Sequence, residues 1–303
     1  MIPKIVADLI GEVAKDKTSG AVELTQKGAE ALLLLADQNA AQDTSQLLSE
    51  LLSTGRKLIE AQPSMAPLFN LVHTVLSGLN AAQDVGEARR TIKAAARGFA
   101  ADLGLRGEKI ALEALSLISN GVAILTHSRS STVSGALLLA KERGRRFKVL
   151  CTESRPIYEG RELARELAEQ GIETTLITDA AAAHFMSEID LVMVGADSVS
   201  RQGLVNKMGT HALALVANAY GVPFYALCGT EKFLPPDYPY MEIQLKDLQE
   251  VWEDHPEGVT VLNYYFDVTP LAHVNGLVTE NGLLNHADVV KMLSQPGTHE
   301  LLV

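Results

Sequence analysis

The chain has 303 residues, of which 47% are hydrophobic and 21% charged, and its formal net charge is −11 at pH 7. A chain of this length can bury a large core and usually forms two domains. The acidic balance argues against broad contact with nucleic acid or with an anionic membrane, because binding phosphates needs clustered lysine and arginine. It leaves room for one small phosphorylated ligand in a local basic pocket.

The two cysteines, Cys151 and Cys228, lie far apart and outside any CxxC pattern. We therefore expect neither a disulfide nor a metal site, and predict that both are small buried core residues. The amino terminus carries Asp8 and Glu12 inside its apolar pattern, unlike a signal peptide. No apolar run approaches the ~20 residues of a membrane span. These features favour a cytoplasmic protein that uses no cofactor.

Residues 1–118 show helical periodicity and predict a helical amino-terminal domain. Apolar side chains recur at helical spacing from Ile5 to Val13 and again in later segments, and Pro63 and Pro67 interrupt the pattern. A long helix is predicted from Asp84 to the end of this domain.

From residue 119 to residue 303 the pattern changes to alternating strands and helices, which predicts an α/β domain with a parallel sheet covered on both faces. Strands are predicted at residues 122–126, 147–151, 174–177, 191–194, 224–227, 259–266 and 277–278. A helix is predicted over residues 207–220.

Polar residues follow each predicted strand, and parallel strands bring these ends to one edge of the sheet, where ligands bind in open α/β sheets. Asp197 follows the apolar run at 191–194, and Asn206 and Lys207 return the chain to the same place. Serines at the start of a helix also favour an anion. The other candidates at these ends are Ser128, Ser130, Ser131, Arg155 and Lys232.

Each candidate also has a purely structural explanation. Ser130 and Ser131 can cap a helix, Arg155 can pair with a nearby glutamate, and His127 is more often a satisfied loop histidine than a general base. The chain lacks both G-x-G-x-x-G after its first strand and G-x-x-x-x-G-K-[ST], so neither a standard dinucleotide site nor a P-loop is supported. It is the convergence of these residues that predicts a pocket.

Several segments together resemble one family, namely THSRSSTV, CTESRPIYEG, ITDAAAAHFM, VGADSVSRQGLVNKMGTHALAL and FDVTP. They are similar to the alpha, beta and delta subunits of translation initiation factor 2B and to two isomerases, which act on ribose 1,5-bisphosphate and methylthioribose 1-phosphate. The resemblance implies a helical amino-terminal domain, a Rossmann-like carboxy-terminal domain, and dimers or larger homo-oligomers.

The isomerases of this family resemble one another in a Cys after the Thr-His of the first loop, with the Asp of Gly-Ala-Asp as its partner. The Asp corresponds to Asp197, but the Cys position holds Ser128. A serine hydroxyl is far less acidic than a thiol and cannot replace it in proton transfer without an activating base.

Two arginines of the isomerase pattern are also replaced, by Ser19 beside Gly20 and by Gln62. The methylthioribose enzyme has Gln where this chain has Glu159, whose carboxylate would repel a phosphate. The resemblance therefore places Gly20, Gln62 and Glu159 at the ligand site but leaves Lys207, with the serine loop, as the best anchor for an anion.

Three hypotheses follow. The first is a regulatory-subunit-like protein that binds a sugar phosphate or nucleotide without classical isomerase chemistry. The second is an aldose-to-ketose isomerase in which Asp197 is the acid and His127 or Glu159 the base. The third is a scaffold whose polar edge is a subunit interface. None of them implies direct contact with an initiation factor.

Overall fold

A computed structural model describes residues 2–79, 82–238, 243–294, 297 and 299–302. The first part of the described chain is helical throughout. Asp43 and Asp84 cap two of its helices by accepting hydrogen bonds from the first-turn N–H groups of Gln46 and Glu87. The helices are α1 (Lys4–Lys15), α2 (Ala21–Gln38), α3 (Thr44–Ala61), α4 (Ala66–Gly78) and α5 (Val85–Ala114).

The second part alternates strands and helices, as the periodicity predicts. Its elements are β1 (Ala123–Thr126), α6 (Ser131–Glu142), β2 (Lys148–Thr152), α7 (Glu159–Glu169), β3 (Glu173–Ile177), α8 (Ala182–Phe185), β4 (Leu191–Val194), β5 (Ser198–Ser200), β6 (Gly203–Lys207), α9 (Thr210–Tyr220), β7 (Phe224–Leu227), β8 (Phe266–Thr269), β9 (Gly276–Thr279), β10 (Gly282–Leu284) and α10 (His286–Met292).

Seven strands of the described chain form one sheet in the order β10-β9-β7-β4-β1-β2-β3. All neighbours in it pair in parallel except β10, which runs antiparallel to β9. The predicted parallel sheet is thus confirmed. Because β1 pairs with both β2 and β4, the order reverses between β1 and β4, and a crevice opens outside their carboxyl ends.

Two predictions of local structure are wrong. The segment before α9 is a strand rather than the start of the helix, since residues Gly203–Lys207 pair antiparallel with β5 and β8, and α9 begins only at Thr210. In the range 259–266 only Phe266 belongs to a strand, the first residue of β8. Both errors concern the small three-stranded sheet β5-β6-β8, whose short strands carry no clear period-two signal.

The two halves of the chain share a hydrophobic core. Leu24 and Phe69 of the helical half pack in one cluster with Val205 and Phe266 of the α/β half. The last turns of α5 are also buried against the sheet, beside α6 and β1. Because residues of both halves pack in the same clusters, the core does not mark where one domain ends, and the boundary at residues 118/119 stays a prediction. Within the part of the chain that the structure describes, no helix is long and apolar enough to cross a membrane.

Helix α7 begins very close to the end of β2. A Cβ atom added to Gly160 would lie 1.8 Å from the carbonyl oxygen of Thr152, so the second residue of α7 can only be glycine in this backbone. The close approach sets the first residue of the helix, Glu159, at the carboxyl edge of the sheet.

We expect Gly160→Ala to lower the free energy of unfolding by at least about 1–3 kcal/mol, because the added methyl group forces α7 away from β2. Gly98→Ala is the matched control, since residue 98 is an exposed position of α5 with no atom within 4 Å of an added Cβ. That change should stabilise by roughly 0.5–1 kcal/mol. Urea denaturation measures both, and equal stabilities of the two variants would contradict the close approach.

Candidate functional site

A cavity of about 130 Å³ lies at the carboxyl ends of β1 and β4, between the sheet and the start of α2. All but one of the residues predicted for a ligand site line this cavity. Those that line it are Gly20, Gln62, Ser128, Ser130, Ser131, Glu159, Asp197, Asn206, Lys207 and Lys232.

Arg155 is the predicted residue that does not line the cavity. Its guanidinium group donates to the Tyr158 hydroxyl and to the backbone carbonyls of Glu250 at 3.3 Å and Val251 at 3.2 Å. Its backbone N–H donates to Asp179 at 2.7 Å. These contacts hold Arg155 against the loop that contains Val251, away from the site.

Ser128 and Ser130, which lie between β1 and α6 in the chain, line one side of the cavity. Ser128 has φ 67°, in the left-handed region, and its N–H donates to the Ser154 hydroxyl at 2.8 Å. Ser130 is the N-cap of α6, and its hydroxyl accepts from the Val133 N–H at 3.4 Å. Every described non-glycine residue with positive φ belongs to this edge of the sheet, namely Ser128, Ser154 and Tyr158. Such conformations cluster at functional sites.

The amino termini of α2 and α6 both lie at the cavity, one from each half of the chain, and the N-cap residue of α4 and the first residue of α7 line it too. Helix α2 starts after Gly20, which makes no side-chain capping bond, and α6 starts after Ser130. The first N–H groups of a helix have no partner within the helix, and the helix dipole makes this end favourable for an anion. The arrangement attracts a small negatively charged group.

Asp197 follows β4 after Gly195 and Ala196 and is anchored through its backbone. Its N–H donates to Val205 at 2.8 Å, and its carbonyl accepts from the Ala66 N–H at the start of α4, at 3.1 Å. The surrounding protein raises the pKa of its carboxyl group through burial, while Lys232 and Lys207 act in the opposite direction. Since Asp197 faces the cavity, a proton or a hydroxyl donor can reach it there.

Lys207 is not the unpaired anchor that the sequence suggests. Its ammonium group forms an ion pair with the Glu159 carboxylate, and the two side chains are 6% and 8% exposed. The ammonium also lies 4.8 Å from the centre of the Tyr265 ring and 5.4 Å from that of Phe266. The positive charge of Lys207 is therefore already balanced within the protein.

Gln62 uses its amide to shape the wall formed by the helical half. Its Nε2 atom donates to the backbone carbonyls of Val13 at 2.9 Å and Asp16 at 3.1 Å. Gln62 thus holds the segment between α1 and α2 in place, so its side chain supplies structure where the isomerase pattern has a guanidinium group.

Lys232 reaches the cavity from the loop after β7. Its ammonium donates to the carbonyl of Ala196 at 2.5 Å. The preceding residue, Glu231, pairs with Arg106 of α5 at 3.1 Å, and Arg106 also lies 3.5 Å from Glu280. The helical half therefore fixes the loop that carries Lys232.

His127 is a structural brace behind the site. Nε2 lies 2.9 Å from the Met208 carbonyl, which can only accept, so Nε2 carries the proton and Nδ1 accepts from the Thr152 hydroxyl at 2.6 Å. Burial lowers the pKa of His127, which favours the neutral ring, while the Met208 carbonyl and Asp179 act in the opposite direction. Its nitrogens are both engaged, which supports the interpretation of a satisfied loop histidine.

The sequence reasoning missed several lining residues, among them Lys246, Tyr265 and Phe266 and the charged residues Asp16, Lys17 and Asp247. The FDVTP segment begins at Phe266 and so marked the neighbourhood, but nothing in the sequence indicates that the rings lie beside Lys207. Burial lowers the pKa of Lys246. Among the described cavity residues, Lys232 and Lys246 have no carboxylate within ion-pairing distance.

Neither cysteine takes part in the site. Cys151 and Cys228 are free and buried, as predicted, and burial raises the pKa of each thiol to about 12. The described residues contain no group of three or more His, Cys, Asp or Glu side chains placed to hold a metal ion.

The fold and the cavity define a Rossmann-like α/β protein with a helical amino-terminal part and a cavity at the switch point of its sheet. The chain belongs to the Initiation factor 2 subunit family, whose model matches residues 17–286.

Its curated relatives include both branches that the sequence motifs indicate. The putative translation initiation factor eIF-2B subunit 2-like protein of Pyrococcus horikoshii is 37% identical over 286 residues, which cover 94% of this chain and 98% of the relative. Ribose 1,5-bisphosphate isomerase of Methanocaldococcus jannaschii is 34% identical over 285 residues, covering 92% and 91%. The family resemblance is thereby confirmed, whereas the choice between the branches is not.

Solved structures share the fold. Translation initiation factor eIF-2B of Pyrococcus horikoshii OT3 matches with a TM-score of 0.83 at 36% identity, over 94% of this chain and 98% of that one. At 23% identity and TM-score 0.75, the fold alone is shared by 5-methylthioribose 1-phosphate isomerase from the same organism, over 95% and 87% of the two chains. The same values hold for a tetrameric eIF2B-beta2-delta2 complex from C. thermophilum, over 95% and 93%.

We expect Asp197→Asn to unfold at a higher temperature than the wild type near neutral pH. The folded-state pKa of this carboxyl group is raised above its ordinary value of 3.8, so between the two pKa values the native chain holds a proton that the unfolded chain has lost, and above both of them the buried carboxylate is less favourable than a neutral side chain. Wild-type stability therefore falls as pH rises from 3.8 through the folded-state pKa, and the advantage of the variant grows over the same interval.

Thermal denaturation of both proteins between about pH 4 and pH 8 measures this difference. Asp8→Asn, on the exposed face of α1, is the matched control. An Asp197→Asn variant that is less stable than the wild type at pH 7.5 would contradict the argument.

Proposed function

We propose that the chain binds a small phosphorylated metabolite, a sugar phosphate or a nucleotide, in this cavity and does not carry out thiol-dependent isomerisation. The observation that carries the proposal is the meeting of the α2 and α6 amino termini beside Asp197, with the Lys232 and Lys246 ammonium groups lining the same cavity and forming no ion pair with a described carboxylate. Oriented N–H groups and nearby ammonium groups are what a phosphate requires.

The chemistry at residue 128 supports a binding role. A thiolate attached to this loop would be a good proton-transfer group, but the loop carries a serine hydroxyl, and both thiols of the chain are buried with pKa values near 12. No thiolate is available near the cavity at neutral pH. We therefore place the chain beside the eIF-2B subunit 2-like relatives in function.

The isomerase hypothesis keeps one specific observation in its favour. Burial raises the pKa of Asp197, and a carboxyl group that holds its proton closer to neutral pH can serve as a general acid. Glu159 lines the cavity and is the available base, whereas both ring nitrogens of His127 are engaged in hydrogen bonds. The isomerase of M. jannaschii is also 34% identical to this chain.

Self-association and location complete the proposal. We propose that the chain forms a homo-oligomer, because large apolar side chains are exposed between residues 245 and 262, among them Leu245 at 57%, Trp252 at 49% and Leu262 at 60%. Light scattering measures the mass in solution, and we expect at least a dimer that Leu262→Glu weakens. A monomer at micromolar concentration would contradict the proposed self-association.

We also propose a cytoplasmic location, which cell fractionation measures.

Thermal-shift and calorimetric titrations test metabolite binding with ribose 5-phosphate, ribose 1,5-bisphosphate, methylthioribose 1-phosphate and AMP. We expect at least one to stabilise the protein, by about 2.7 kcal/mol at a concentration 100-fold above its dissociation constant. Lys232→Met should weaken that ligand tenfold or more. Lys148→Met, at the opposite end of β2, is the control and should leave affinity unchanged. If no compound binds, the proposal fails.

The same samples, followed by ³¹P NMR, separate binding from catalysis. We expect the spectra of the bound sugar phosphates to show no conversion. Turnover by the wild type that Asp197→Asn abolishes would establish the isomerase hypothesis in its place.

A further inference from the structure

The pair formed by Lys207 and Glu159 lines one end of the cavity and leaves one oxygen atom without a partner. Glu159 Oε1 contacts the Lys207 ammonium. Glu159 Oε2 is buried and accepts no hydrogen bond from the residues that the structure describes. A buried acceptor without a donor is unfavourable by roughly 1–3 kcal/mol, and more when it is charged. Since Glu159 is one of the residues that line the cavity, we take a bound ligand as the source of the missing donor.

Neither partner of the pair is free to turn away. Glu159 is the first residue of α7, where the helix dipole favours a negative charge, and the contact of Gly160 with β2 fixes the position of that helix. The Lys207 ammonium lies against the rings of Tyr265 and Phe266. The arrangement is therefore a built part of the cavity wall.

The charge of this end decides what it can accept. One ammonium and one carboxylate leave no net positive charge for a phosphate, and a dianion would approach the unpartnered Oε2 directly. A neutral hydroxyl group, in contrast, donates a hydrogen bond to Oε2 and satisfies it. The positive sites left for a phosphate are the starts of α2 and α6 and the two unpaired lysines.

We infer that the Glu159–Lys207 end of the cavity receives the neutral hydroxyl end of a sugar monophosphate and excludes a second phosphate. The cavity, about 130 Å³, is smaller than the ≈ 300–1,000 Å³ usual for pockets that bind drug-sized ligands, which favours a single sugar phosphate over a nucleotide. This inference rests on the proposed function and adds that the ligand is a sugar monophosphate and that Glu159 selects it.

Calorimetric titration of the full chain with ribose 5-phosphate and ribose 1,5-bisphosphate tests the inference. We expect the wild type to bind the monophosphate at least tenfold more tightly than the bisphosphate. Glu159→Gln frees the Lys207 ammonium and should raise the affinity for the bisphosphate at least tenfold. Glu162→Gln, on the exposed side of the same helix, is the matched control and should leave both affinities unchanged.

A second variant covers the case in which Glu159→Gln does not fold with an unpaired buried ammonium. The double variant Glu159→Gln/Lys207→Met removes both charges, and we expect it to keep the preference for the monophosphate. A wild type that binds the bisphosphate as tightly as the monophosphate overturns the inference and leaves the proposed function standing. The inference is also overturned, and the proposed function also stands, if the protein binds other phosphorylated compounds but does not bind ribose 5-phosphate. If no phosphorylated compound binds at all, the proposed function fails and the inference with it.

Discussion

The position of β1 between β2 and β4 is the constraint on which the site depends. After β1 the chain continues to β2 and β3 on one side of the sheet, and after β4 it continues to β7 and β9 on the other side. The loops that follow β1 and β4 therefore lead in opposite directions, and a crevice opens between them. Ser128 and Asp197 face this crevice because each follows one of the two strands. The helical half then closes the open side with the start of α2 and with Gln62.

Part of this arrangement was predictable, since Ser128 and Asp197 follow apolar runs that form parallel strands, and parallel strands end on one edge. What could not be predicted depends on contacts between segments far apart in sequence. The pairing of Lys207 with Glu159, the placement of Arg155 against the loop at Val251, and the use of the Gln62 amide within the helical half all arise from tertiary packing. The hairpin β5–β6 was missed because strands of three to five residues give too short a pattern to distinguish from a loop.

The chain keeps some residues of the isomerase pattern and departs from others. The carboxylate at 197 and the lysine at 207 occupy the positions that the isomerase pattern leads one to expect, yet the hydroxyl at 128 and the carboxylate at 159 alter what these groups can do. A lysine balanced by its own protein no longer acts as a free cation, so the presence of a residue type at a motif position is a weaker guide to function than its electrostatic partner.

The cavity lies at the seam between the two halves, and the hydrophobic cluster that includes Leu24, Phe69 and Phe266 seals the same seam. Neither half forms the cavity alone, because the helical half supplies the start of α2 and the α/β half supplies the ends of the strands. In a chimaera with the helical half of one relative and the α/β half of another, the two walls of the cavity and the two sides of the shared core would come from different proteins and would not match. The shape of the cavity therefore depends on residues of both halves of the chain.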